Sequence, residues 1–184
     1  MEPKNIEILK NGGVGVIPTD TVYGIVCSAF SETAVRRIYE LKKREANKPL
    51  VIIISDVSDL EKFGADISIN HSKIIEKYWP GKLTIIFHVS EKYKYLDKGL
   101  GLAIRFPADE KVLETLKQVG PLATSSANIQ GEPPAKNIIE AEEYFGNKVD
   151  FYEDGGELDS APSTLVRIVG DKVEILRQGI VKID

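Results

Sequence analysis

Leu50-Val51-Ile52-Ile53-Ile54 is an unbroken apolar run whose last four residues are all β-branched, and it is entered through Lys48-Pro49. A strand with one wet face alternates polar and apolar residues. A strand without that alternation is covered on both faces, as in a sheet with helices above and below it. Working outward, Val14 to Ile17 reads as a second buried strand, running into a turn-rich segment. Ser31 is placed to cap a helix reaching about Lys43, with Val35, Ile38 and Tyr39 on its apolar face. Downstream, Ser72 to Trp79 reads as a helix stopped by Pro80-Gly81. Leu83 to Val89, Leu102 to Phe106 and Leu122 to Ser125 read as strands, and Asp109 to Val119 and Ile138 to Phe145 as helices. Thr164 to Val169 and Val173 to Leu176 predict a hairpin across Gly170-Asp171, where glycine at the first turn position suits a type II′ turn. These βα units with a closing hairpin predict an α/β protein with a twisted mixed β-sheet and helices packed on it. No repeat, low-complexity segment or linker interrupts residues 1–184, so a single domain is expected.

Bulk properties narrow the function classes. The formal charge is −4, with 42% hydrophobic and 28% charged residues, which is ordinary for a soluble globular chain. The acidic balance counts against a protein that mainly grips nucleic-acid phosphates, although Lys42, Lys43, Arg44 and Lys48 form one local basic group. Lys92, Lys94 and Lys98 form a second, which reads as a solvated loop. Cys27 is the single cysteine, so no intrachain disulfide is possible; it reads as a buried apolar residue in a reducing compartment. With no secretory signal and no apolar run near membrane length, a cytoplasmic location and no membrane partner are expected.

Five segments carry polar residues that packing does not require. In Pro18-Thr19-Asp20-Thr21-Val22-Tyr23-Gly24, short polar side chains crowd where a strand leaves the sheet, and ligands of open α/β sheets collect at carboxyl ends of strands. The plainer reading is a turn in which Asp20 bonds its own backbone. In Lys42-Lys43-Arg44, Lys42 and Arg44 share a face if the segment is extended, and with Lys48 they would suit a polyphosphate. Alternatively they are cations at a helix C-terminus. Arg105 stands alone in an apolar strand and needs either a ligand carboxylate or a protein acid. Ser126 and Asn128 follow a short strand and offer donors to anionic oxygens. Ser163 precedes the final hairpin, and Arg177 closes it. There is no G-x-x-x-x-G-K-[ST], no G-x-G-x-x-G and no metal-ligand spacing around His71 or His88, so no protein-ligated metal is expected.

In order along the chain, PTDTVYG, K-x-R with K-P-L behind it, WPGKLT, AIRFP, SAN, PST and LRQG resemble the YrdC family, from about Gly15 to Gly179. The resemblance implies a twisted mixed sheet with flanking helices around a concave, positively charged cavity. It implies a threonylcarbamoyl-AMP synthase, a nucleotidyltransferase working on L-threonine, bicarbonate and ATP with magnesium, whose product feeds a tRNA-modifying threonylcarbamoyl transferase. By the same resemblance Lys42, Arg44, Ser126 and Asn128 are the catalytic set; ATP is held by these with Lys48 and Arg177, and threonine by Thr21, Arg105, Thr124 and Ser163. A histidine that some relatives carry after K-P-L is replaced by Val51-Ile52-Ile53-Ile54, and a serine common after SAN is missing from Gly131-Glu132-Pro133-Pro134-Ala135. The chain matches a short form, ending at Asp184 without the extra carboxy-terminal domain of long forms. Glu91 to Gly99 and Gly131 to Lys136 are candidate mobile loops. The alternative is a double-stranded RNA-binding or ribosome-assembly module without catalysis, against which the net charge weighs. A hydrogenase-maturation carbamoyltransferase would need cysteine pairs that are not here.

Overall fold

The structure is a computed structural model and describes residues 1–45, 48–97 and 99–184. Among the described residues, nine strands form one mixed sheet: β1 (Val14–Pro18), β2 (Tyr23–Ser28), β3 (Val51–Ile53), β4 (Leu83–Phe87), β5 (Leu102–Arg105), β6 (Leu122–Ser126), β7 (Phe151–Tyr152), β8 (Thr164–Val169) and β9 (Lys172–Arg177). Their spatial order is β7-β1-β2-β6-β3-β5-β4-β8-β9, so the apolar run around β3 is the central strand. β1–β7, β3–β5 and β4–β8 pair parallel; the other neighbours pair antiparallel. The α-helices among the described residues are α1 (Pro3–Lys10), α2 (Glu32–Leu41), α3 (Asp59–Lys62), α4 (Ile69–Tyr78), α5 (Glu110–Val119) and α6 (Ile138–Phe145).

Side-chain alternation sorts the sheet into two unequal faces. On one face Val16, Ile25, Ile52, Ile104, Ile85 and Val166 meet Val35 and Ile38 of α2, Ile75 of α4 and Phe145 of α6 in the main core. On the other, Ile17, Val26, Ile53 and Leu122 meet Leu9 of α1 and Val112 and Leu116 of α5 in a smaller one. Ile52 and Ile53 thus bury in opposite directions, as an unbroken apolar strand requires. The smaller core covers only part of its face. Beyond it the same face continues as Gly24, Thr124, Ala103 and Arg105, and that is where the site lies.

Most predicted elements form with caps in place. Ser31 Oγ accepts from Ala34 N (3.3 Å) at the start of α2, and Asp109 Oδ1 from Val112 N (2.9 Å) at the start of α5. Gly170 has φ 58° and Asp171 a negative φ, the signs of a type II′ turn. Helix α4 starts earlier than expected, at Ile69, because Ser68 and His71 form a reciprocal capping box. His71 also stacks on Phe87, so this histidine has a structural task. Strand β2 and helix α1 were not expected, nor was the two-residue β7. Cys27 is buried, and burial pushes its thiol up to about 12, in keeping with an inert core residue. Lys92 lies over the Tyr93 ring and Lys94 pairs with Glu91, on a short 3₁₀ turn remote from the site; Lys98 lies outside the described residues. Among the described residues no helix is long and apolar enough to cross a membrane.

The last strand is tied down by close packing. Thr164 Oγ1 donates to Val181 O (2.7 Å) and accepts from Gly179 N (3.0 Å) and Val181 N (3.1 Å). A Cβ on Gly179 would collide with the backbone of Pro162, Ser163 and Thr164, none of which can swing aside as a side chain would. Gly179→Ala is expected to destabilise the fold by about 1–3 kcal/mol, the usual cost of overpacking. A urea midpoint equal to that of the parent would show that the 162–164 segment yields freely.

Candidate active site

Small side chains on the less-covered face leave a cavity of about 610 Å³. Gly24 and Thr124 contribute to its floor; a Cβ on Gly24 would come within 2.8 Å of Thr124 Oγ1 and 3.3 Å of Thr19 Cγ2. The wall carries five cations, Arg44, Lys48, Arg105, Lys136 and Arg177, against two carboxylates, Asp20 and Asp159. Asp159 pairs with Lys136 (3.3 Å), and Asp20 with Arg105. An excess of positive charge in a chain of net charge −4 marks a site for anions. The cavity does not sit at a row of carboxyl strand ends, as expected for an open parallel sheet. Val51 lies at the start of β3 and Arg105 at the end of β5, so in this mixed sheet the site spreads across a face.

The K-x-R segment is not extended. Lys43 N bonds Glu40 O (3.1 Å) and Arg44 N bonds Tyr39 O (2.9 Å), with Lys43 at φ 49°: a Schellman ending to α2 with lysine where glycine is usual. The left-handed residue turns its neighbours apart. Lys42 points inward, 1% exposed, and donates to Ser126 O, to Asn128 O (2.7 Å) and to Asn128 Oδ1 (3.0 Å). Burial, and Arg44 nearby, lower its pKa to about 7. Those three oxygens all accept, however, and only the ammonium form has a proton for each. Asn128 is fully used as well: Oδ1 also accepts from Ser126 Oγ (2.6 Å), while Nδ2 donates to Ile129 O (3.0 Å) and Glu132 O (2.6 Å). Lys42 and Asn128 therefore stand behind the cavity wall, and Ser126 is on it. Arg44 is on the wall too, its guanidinium braced by Lys48 O (3.0 Å) and Pro49 O (2.9 Å). Lys48 lines the rim, 3.5 Å from Glu45.

At the opposite side, Thr19 does the work expected of Asp20. Its Oγ1 donates to Val22 O (2.6 Å) and accepts from Thr21 N and Val22 N (both 3.3 Å), closing the turn after β1. Asp20 is thereby free to pair with Arg105, whose Nε donates to Gly81 O (3.0 Å). Burial lowers the Arg105 pKa, Asp20 opposes that shift, and Arg177 adds to it. Arg177 also lowers Arg44, after burial, so one guanidinium influences both ends of the cavity. Arginine stays charged through such shifts. Thr84 and Ser163 share a 2.8 Å hydrogen bond, and Arg177 Nη2 holds Ser163 O (3.0 Å). Thr21, Thr124 and Ser163 all line the cavity.

The family model for Sua5, YciO and YrdC proteins, described as telomere recombination, matches residues 7–179. The chain belongs to this family. A Methanocaldococcus jannaschii protein provisionally named threonylcarbamoyl-AMP synthase is 38% identical over 98% of this chain and 88% of its own length. A Pyrococcus abyssi threonylcarbamoyl-AMP synthase is 34% identical over 93% of the chain, which spans only 52% of that protein. The crystal structure of P. abyssi Sua5 complexed with L-threonine superposes with a TM-score of 0.89 at 33% identity, covering 96% of this chain and 53% of that one. The Sua5/YciO/YrdC fold is thus the twisted mixed sheet with flanking helices described above.

Of the residues singled out from the sequence, the fold brings Thr21, Arg44, Lys48, Arg105, Thr124, Ser126, Ser163 and Arg177 to one cavity wall, with Lys42 and Asn128 directly behind. The sequence did not single out Lys136, Asp159 and Ser160, which complete the wall without a motif of their own. Lys42→Met keeps the aliphatic stem and removes three donors. It should cost about 1–3 kcal/mol for the Asn128 carbonyl left orphaned and speed amide exchange in residues 126–132. Parent-like exchange there would show that Lys42 does not hold this loop.

Proposed function

We propose that this chain is a threonylcarbamoyl-AMP synthase, making L-threonylcarbamoyladenylate and pyrophosphate from L-threonine, bicarbonate and ATP. The observation that carries this is the division of one cavity into a rim of cations suited to a polyphosphate and a deep arginine suited to a single carboxylate. Threonine's carboxylate goes to Arg105, and its methyl and hydroxyl to the pocket of Thr21, Thr124 and Ser163. The triphosphate goes to Arg44, Lys48 and Arg177, beside the Ser126 hydroxyl. Lys42 and Asn128 act from behind by fixing the loop that carries Ser126.

In the first step threonine's amine and bicarbonate give a carbamate and water. A carbamate oxygen then attacks the α-phosphorus, the bond to the bridging oxygen breaks, and pyrophosphate leaves. Reactions of this type are accelerated mainly by holding the partners in line and by fixed charges at the phosphoryl oxygens. Arg44 and Arg177 are braced by backbone carbonyls and need little rearrangement to supply that charge. Magnesium belongs to the ATP substrate: the two wall carboxylates are already paired with cations, so phosphate oxygens rather than a protein cage would hold it. The product is a mixed anhydride, and its consumer is a transferase that moves the threonylcarbamoyl group to an adenosine of tRNA.

Pyrophosphate release from ATP should require both bicarbonate and threonine, with serine a poorer substrate. Arg105→Ala should raise KM for threonine by roughly 10- to 100-fold, the loss of a charge-assisted contact, and leave KM for ATP much less changed. Arg177→Ala should chiefly raise KM for ATP, with a smaller rise for threonine because Ser163 loses its brace. Turnover indifferent to threonine would remove the synthase assignment, and an unchanged threonine KM in Arg105→Ala would remove the carboxylate assignment alone.

A further inference from the structure

Asp20 has an unusual surplus. Its side chain is 11% exposed and sits on the cavity wall. One oxygen, Oδ2, is taken by Arg105, while Oδ1 is the one buried side-chain nitrogen or oxygen without a hydrogen-bond partner among the described residues. A buried acceptor is costly to leave unpaired, and such atoms call for an explanation. The turn does not supply one, because Thr19 makes the side-chain bonds that close it. Nor does the countercharge to Arg105, which Oδ2 provides.

Resting on the synthase assignment above, we infer that Asp20 Oδ1 receives the nitrogen of the amino-acid substrate, so that Asp20 and Arg105 form a clamp for an α-amino acid zwitterion. The nitrogen and the carboxyl carbon of an α-amino acid lie about 2.5 Å apart across one Cα. A carboxylate on Arg105 therefore brings the nitrogen beside whatever adjoins that guanidinium, and Asp20 adjoins it. Charges alternate around such a clamp: guanidinium, substrate carboxylate, substrate ammonium, aspartate. No charge is buried without a partner. An acceptor also suits every stage of the nitrogen's chemistry, since ammonium, free amine and carbamate N–H are all donors. An acid lacking nitrogen would instead set its own carboxylate against that of Asp20 for the same arginine, which makes Asp20 a specificity-determining contact.

The probes are L-threonine and the analogue in which hydroxyl replaces the amine, 2,3-dihydroxybutanoate, each measured by calorimetry on the full chain. The parent should bind threonine and discriminate against the analogue by roughly 10- to 100-fold, the worth of one charge-assisted hydrogen bond. Asp20→Asn should lose most of that ratio, chiefly through weaker threonine binding. A parent protein that binds both compounds equally overturns the clamp, whether or not the variant folds. So does a folded Asp20→Asn that keeps the parent's ratio. A parent that binds ATP but no threonine overturns the synthase assignment itself and takes the clamp with it, an outcome distinct from the other two.

Discussion

One ammonium group ties the site together. Lys42, at the end of α2, reaches across to the end of β6 and the loop after it and gives its three protons to oxygens of Ser126 and Asn128. Those elements are neighbours only because the sheet places β6 beside β2, the strand that leads into α2. Without that donor the Asn128 carbonyl would lose its partner in a buried setting, and the segment after β6 would lose its link to the end of α2 through this side chain. The lysine is held in turn by the left-handed residue after it, which ends the helix while sending Lys42 inward and Arg44 to the wall. The placing of Arg44 on the cavity wall and the bracing of the segment after β6 thus share one cause.

The cavity follows from a similar economy of means. Each strand must present alternate residues to each face, and the face over the larger core is filled with Val, Ile, Leu and aromatics. On the reverse face the same alternation puts Gly24, Thr124 and Ala103 where large residues would close the space. The hollow is therefore written into strand register and needs no special loop to scoop it out. Its three arginines are tolerated there because each has a carbonyl or carboxylate brace: Arg44 with Lys48 O and Pro49 O, Arg105 with Gly81 O and Asp20, Arg177 with Ser163 O.

What could be read from the sequence was what local physics controls. The run at β3 was legible because burial on both faces leaves a single signature, and α5 because its cap and apolar spacing agree. Strand β2 was hidden because Tyr23-Gly24 continues the look of a turn, and β7 because two residues carry no periodicity. For the lysine–arginine pair the sequence left an extended segment and a helix end both open; the structure has the helix end, and nothing about lysine announces its positive φ, which glycine normally supplies. For Asp20 the sequence offered its own turn or a ligand site and did not offer Arg105 as a partner. Its pairing with Arg105, 85 residues away, depends on a sheet that no local pattern encodes.

The wall joins distant parts of the chain. Thr19 to Thr21 follow the first strand, while Arg177 closes the last, at the far side of the sheet order. A ligand spanning the cavity is then a non-covalent crosslink between the two ends of the fold. Such a link opposes unfolding by mass action, growing with the logarithm of the ratio of free ligand to its dissociation constant. Strand β9, the outermost of the sheet, has much of its surface open to solvent, while its partner β8 is anchored on β4. A ligand held by Arg177 would lend that edge a firmness it does not have alone, so that occupation of the cavity would oppose fraying and proteolysis at the tail as a by-product of binding.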